Sequence, residues 1–327
     1  MDAVSRSRSL VLLVVLAALA AACTSDGDPD PSPTGPTGGV VSAAMASSDH
    51  NVEAPQRVAI GLQTGDGRLV TFGSVDVVFS YLGTAEAPVD APEPGPATVA
   101  VYLPTPGTAD EAGGPTLSLP SEARGVYQAE DVTFDRAGFW QADVTADVEG
   151  LGAQRASTTL KVLDDPAYPA PGEAALETEN LTLDSKDAPP KAIDSRATND
   201  GEVPDPELHE WTIARALQEG RPTLVVFSTP VYCVSKFCGP VTDVVQHLAA
   251  RYEDRAVFIH VEIWRDFNDS PPVMNKGAAD WLLRNGGFTE PWLFLIGADG
   301  IIVDRWANLW REDEVVAALE ALPRMNA

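Results

Sequence analysis

The chain has 327 residues, 44% of them apolar and 21% charged, with a net charge of −26 and three cysteines. That length exceeds what one ordinary core organises, so two domains are expected, and the acidic excess repels phosphate backbones and anionic headgroups, which argues against nucleic acid as a partner. Four histidines and four methionines leave little material for a copper or zinc site, and three cysteines cannot all pair.

Residues 1–23 carry Arg6 and Arg8 ahead of an apolar run from Leu10 to Ala22. A run of about 13 residues is too short for a helix that spans a bilayer but suits a secretory signal. Ala20, Ala21 and Ala22 stand directly before Cys23, and this resembles a bacterial lipoprotein signal, with Ala20 where leucine is usual. The resemblance implies that Cys23 is lipidated and becomes the new N-terminus, which anchors the protein to the cell membrane on its extracytoplasmic face. The alternative is an ordinary cleaved signal peptide with Cys23 incidental. Residues 24–56 open on a Pro/Gly/Asp-rich stretch and read as a flexible tether.

From 57 to 163 apolar and polar residues alternate in short runs broken by Gly, Pro and Asp, the period-two pattern of half-buried strands. The plainest are 57–63, 75–82, 98–103, 125–134, 138–148 and 156–163, with 69–72 as a seventh. Strands without a helix predict an all-β sandwich that looks like the immunoglobulin-type architecture, without its inter-sheet disulfide. The segment contains no histidine, which disfavours a copper-binding sandwich. A spacer or partner-binding module is its simplest role.

Residues 164–206 are rich in proline and acidic side chains and keep no period, so an extended linker that drapes over a domain is expected. Residues 24–206 hold 9 basic against 30 acidic side chains, and 207–327 hold 11 against 17. Most of the acidity therefore belongs outside the last segment.

In 207–327 strands and helices alternate. The pattern predicts a helix over 208–219 ended by Gly220, a buried strand at 222–228, a helix over 240–252 and a second buried strand at 256–264. A helix over 276–285, a strand at 291–297, a turn at Asp299–Gly300 into a strand at 301–306, and a closing helix over 312–322 complete it. Parallel strands joined by helical crossovers, then a hairpin, make an α/β fold.

That order resembles the thioredoxin superfamily through Phe227, Cys233, Cys238, Pro240, Asp243 and Pro291. The resemblance implies redox cysteines where a loop enters a helix, and a cis-proline at Pro291 that faces them and pairs with a substrate chain. It covers nearly all of 207–327. Two features depart from the family: the cysteines are spaced CxxxxC instead of CxxC, and Glu290 precedes Pro291 where Thr or Val is usual.

On a regular helix, Cα atoms five residues apart are about 8.6 Å apart, and a disulfide wants about 4.4–6.8 Å. If Cys233 and Cys238 pair, the stretch between them is not regular helix. A helix that starts only at Pro240 would leave both on a loop. A helix N-terminus and Lys236 favour a thiolate there, Tyr232, Phe237 and Trp292 could offer a protein thiol an apolar surface, and Glu290 would oppose the thiolate.

Two functions stay open. One is thiol–disulfide exchange with extracytoplasmic proteins, with Cys233 and Cys238 catalytic, Pro291 in substrate binding, a membrane redox partner and no cofactor or metal. The other is a non-catalytic binding or assembly lipoprotein in which the pair is a structural staple. A copper chaperone of the Sco type is a lesser alternative, because that pattern is CxxxC with a histidine far downstream. His247 instead falls on a helix four residues after Asp243, and His260 reads as a satisfied core histidine.

Overall fold

The computed structural model describes residues 40–108, 113–198, 200–284 and 287–325. The lipoprotein-like signal and Cys23 lie outside them. Among the described residues no helix is long and apolar enough to cross a membrane.

The N-terminal region is all β. Its strands are β1 (Val41–Met45), β2 (His50–Asn51), β3 (Gln56–Thr64), β4 (Leu69–Thr71), β5 (Ser74–Gly83), β6 (Pro88–Pro104), β7 (Thr116–Ser118), β8 (Gly125–Val132), β9 (Gly138–Val148) and β10 (Gly152–Leu163). They hydrogen-bond in the order β2-β10-β9-β5-β6-β8-β3-β4-β7, with β1 against β3. The path folds over on itself. Val58, Ile60 and Leu62 of β3 share one core with Val77 and Phe79 of β5 and with Trp140 and Val144 of β9, although β3 lies several strands away from the paired β5 and β9 along the ladder. Alternation produces this core: β9 buries every second residue.

Strand β6 links the two halves. Pro88–Val101 pairs with β5, and Val101–Pro104 pairs with β8. Its first part has a partner on one side only, so Pro92, Pro94 and Pro96 fit there without breaking a ladder. Gly95 is required beside Trp140, since a Cβ at that position would collide with the indole ring.

The reading of 24–56 as tether is corrected within its last part. Val41–Met45 pairs antiparallel with Ile60–Thr64, and His50–Asn51 runs parallel to Val162–Leu163. The segment is short and rich in alanine, so its strand character comes from burial of Val41 and His50 against the core and not from its own propensity.

The C-terminal region is mixed α/β. Its elements are α1 (Pro190–Ile193), a 3-10 turn (Pro206–His209), α2 (Ile213–Gln218), β11 (Thr223–Ser228), α3 (Cys238–Tyr252), β12 (Val257–Glu262), β13 (Trp264–Asp266), β14 (Val273–Met274), α4 (Lys276–Leu282), β15 (Trp292–Ile296), β16 (Ile302–Ala307) and α5 (Glu312–Ala321). The main sheet runs β12-β11-β15-β16, with β11 and β12 parallel and the other pairs antiparallel. Every residue of β11, β12 and β15 is buried, because both faces are covered. Leu224, Val226 and Leu293 face Val241, Val245 and Leu248 of α3 and Val315 and Leu319 of α5. On the other face Val225, Phe227 and Phe294 meet Ile213, Ala278 and Trp281 of α2 and α4. The helix expected over 208–219 is split. Asn180 Oδ1 accepts the Ile213 amide at 2.8 Å and Thr212 Oγ1 accepts that of Arg215 at 3.1 Å, so the helix restarts at Ile213.

Residues 164–198 and 200–206 run without a strand over this second region; they contribute Tyr168 to its core and, beyond α1, the buried Asp194 and Ser195. Both regions belong to one compact unit. Arg57 of β3 reaches Glu314 at 2.9 Å and Asp304 at 3.3 Å, and its guanidinium lies over the Trp306 ring. Asp49, its side chain fully buried, pairs with Arg305 at 2.7 Å.

Candidate functional site

Cys233 and Cys238 form a disulfide with a Cα–Cα distance of 5.9 Å. Cys233 lies on the loop after β11, where its amide donates to the Thr229 carbonyl at 3.0 Å. Lys236 adopts φ +66°, a left-handed conformation that turns the chain back, and Phe237 leads into α3. The non-helical path between the sulfurs agrees with the spacing argument. The expected start at Pro240 is corrected: Cys238 is itself the first residue of α3, with Pro240 inside the first turn, where a missing N–H costs no helical bond. The Cys238 amide donates to Cys233 Sγ at 3.3 Å, and Ser235 Oγ lies 3.2 Å from the same sulfur. Both cysteines are buried, at 1% and 0% exposure.

The peptide bond between Glu290 and Pro291 is cis, directly ahead of β15. One carboxylate oxygen of Glu290 and the two sulfurs lie within 4.8 Å of one another. Glu290 Oε2 is buried and has no hydrogen-bond partner among the described residues. Burial pushes this carboxyl up to about 7, against the Val234 backbone N–H that lowers it, and the nearby Glu262 raises it further. The opposition to a thiolate expected from Glu290 therefore applies only where the carboxyl is ionised, at and above about neutral pH.

The surface beside the disulfide differs from the expected one. Trp292 is buried and stacked on Tyr168 at 4.7 Å, and Phe237 is buried in the core under α3. Only Tyr232 remains at the surface, stacked on Phe267 at 4.3 Å, with Trp264 edge-on to Phe267 at 5.5 Å. Val231 and Val234 flank Cys233, and Val234 is 90% exposed. Tyr232, Trp264 and Phe267 line a groove of about 330 Å³ with Pro189, Pro190 and Lys191 of the linker.

Neither candidate histidine joins the cysteines. His247 is exposed on α3, and Asp243, its expected i,i+4 partner, instead accepts from Arg196 at 3.2 Å. His260 is buried in β12 with Nδ1 3.3 Å from Asp194 Oδ2, while His209 Nε2 lies 3.5 Å from the same oxygen. Arg196 Nη2 donates to that oxygen at 2.7 Å. The adjacent Ser195 amide donates to the buried Glu262 at 2.8 Å, and Ser195 Oγ accepts the Val231 amide at 3.2 Å. Sequence reasoning missed Asp194, Ser195 and His209. They sit in or just after a stretch with no periodicity, and a histidine ahead of a helix carries no signal by itself.

A comparison with protein-family models, curated proteins and solved structures finds no significant match.

Proposed function

We propose that the chain is a lipid-anchored extracytoplasmic thiol–disulfide oxidoreductase whose 207–327 region is thioredoxin-like and whose all-β region, of immunoglobulin-like type, acts as a spacer or partner-binding module. The observation that carries this reading is the half-buried carboxyl of Glu290 beside the disulfide, one oxygen of which is buried and unpartnered among the described residues. A buried acid without a full set of partners is costly to a fold, and such groups concentrate where protons are moved. The strand order, the position of Cys238 on the first turn of the helix after β11, and Pro291 ahead of β15 support it.

In the exchange, the Cys233 thiolate of the reduced pair attacks a substrate disulfide and forms a mixed disulfide, and one substrate sulfur leaves as a thiol after protonation. The Cys238 thiol then gives up its proton, and its thiolate attacks Cys233 Sγ. The second substrate sulfur leaves and takes a proton, and the Cys233–Cys238 bond forms. The helix N-terminus stabilises a thiolate at Cys238, and protonated Glu290 beside it adds no opposing charge. Because both cysteines are buried, a substrate reaches the sulfurs only after the surrounding residues move.

That same burial favours the second reading, a structural staple in a binding or assembly protein. A glutathione titration separates the two. The oxidoreductase reading expects a reduction potential above about −300 mV, together with mixed disulfides trapped by Cys238→Ser and not by Cys233→Ser. A potential well below that value, with nothing trapped, establishes the staple.

A further inference from the structure

We propose that Asp194, His209 and His260 form a binding site for one divalent first-row cation, Zn²⁺ by donor type, which clamps the linker to the C-terminal sheet. The three residues come from three segments: the end of α1, the 3-10 turn before α2, and the middle of β12. All are fully buried. One ligand atom from each lies within 4.8 Å of the other two.

The donor chemistry favours a cation between them. His260 Nε2 lies 3.3 Å from the Ser228 carbonyl oxygen, so that nitrogen carries the ring hydrogen. In the neutral ring the Nδ1 lone pair then faces the Asp194 carboxylate, acceptor against acceptor. Among the described residues, His260 Nδ1 and both ring nitrogens of His209 have no hydrogen-bond partner.

Distance separates a metal from a shared proton. Charge-assisted N–H···O contacts close to about 2.7–2.9 Å, whereas the nitrogens lie 3.3 and 3.5 Å from Asp194 Oδ2. Ligands of a tetrahedral ion bonded at about 2.0–2.1 Å stand about 3.3–3.4 Å apart, which matches. Local charge points the same way. Among the described residues Arg196 is the one guanidinium paired with Asp194, Asp205 and Asp243, so the group retains an excess of negative charge that a divalent cation balances. Two imidazoles and a carboxylate suit zinc better than calcium or magnesium, and the fourth position is left to water. Ser195, next to Asp194, holds both Glu262 and the Val231 amide, so the ion would fix the linker against the disulfide loop. The site stands independently of any redox activity.

The test is elemental analysis of the full chain purified without chelators. About one zinc per chain is expected, with less than a tenth of that in His209→Ala. Since this variant could fail to fold, the wild-type chain is also stripped with dipicolinate and titrated with Co²⁺. Ligand-field absorption saturating at one equivalent, and a melting temperature that falls on stripping and recovers with Zn²⁺, are expected. A chain that carries no metal and shows neither absorption nor recovery overturns the proposal and leaves protons between the groups, as does stoichiometric metal retained in a folded His209→Ala.

Discussion

The Val231 amide donates to the side-chain oxygen of Ser195 at 3.2 Å, a contact that joins the linker to the loop holding the disulfide. Ser195→Ala removes the acceptor without changing the backbone. A hydrogen bond of this kind contributes about 1 kcal/mol, so the Val231 amide should exchange with solvent about fivefold faster. Hydrogen exchange followed by NMR measures this, and an unchanged rate means that the linker does not restrain the loop.

Glu290 ties stability to pH in a definite direction. Its carboxyl is raised from 4.5 to about 7 in the folded chain, so the folded state holds a proton that the unfolded state has lost between those values. Stability from this group is present below about pH 4.5 and declines as pH rises through 7. Partial exposure of the side chain reduces the effect to about 1–2 kcal/mol. Urea unfolding of the oxidised chain at pH 5 and pH 8 should show that loss, and Glu290→Gln should abolish it.

His50 acts in the opposite sense. Burial depresses its pKa to about 4, offset by Asp49 and reinforced by Arg305. The unfolded chain takes up a proton below about pH 6.5 and the folded chain does not until about pH 4, so stability falls as pH drops through that window. The loss is at most about 3 kcal/mol. Calorimetry between pH 4 and 7 should find His50→Gln flatter than the wild type in this range.

Arg57→Ala should loosen the contact between the two regions. It withdraws the guanidinium from Glu314, Asp304 and the Trp306 ring, and leaves part-buried Asp304 without its cation and Glu314 with only Arg311 at 3.7 Å. A loss of about 2 kcal/mol is expected, with faster proteolytic cleavage near residues 164–170. Equal cleavage rates in variant and wild type would show that other contacts hold the interface.

What could be read from residues alone follows how local each signal is. The apolar runs at 222–228, 256–264 and 291–297 mark β11, β12 and β15 because a strand covered on both faces must be apolar on both. Strand β6 is visible in the sequence only at 98–103; its earlier part carries Pro88, Pro92, Pro94 and Pro96, admissible there because one edge has no strand partner among the described residues. The CxxxxC spacing excludes a helix between the cysteines, yet it does not fix where α3 begins, since Gly239 and Pro240 fit either of the first helical turns. The pairings of Asp194 depend on where an aperiodic segment comes to rest, which no local pattern encodes. Glu290 was legible as a neighbour of Pro291, but its burial and its unpartnered oxygen are products of packing.

Strands β1 and β2 pair with opposite halves of the folded sheet, and Asp49 between them reaches Arg305 of the C-terminal region. The minimal autonomous piece of this protein therefore includes residues 41–51. A truncation beginning at Arg57, where regular alternation starts, would expose the edges of β3 and β10 together and bury the Arg305 cation without its counter-ion, so the shortened chain should aggregate where one starting at Val40 stays soluble.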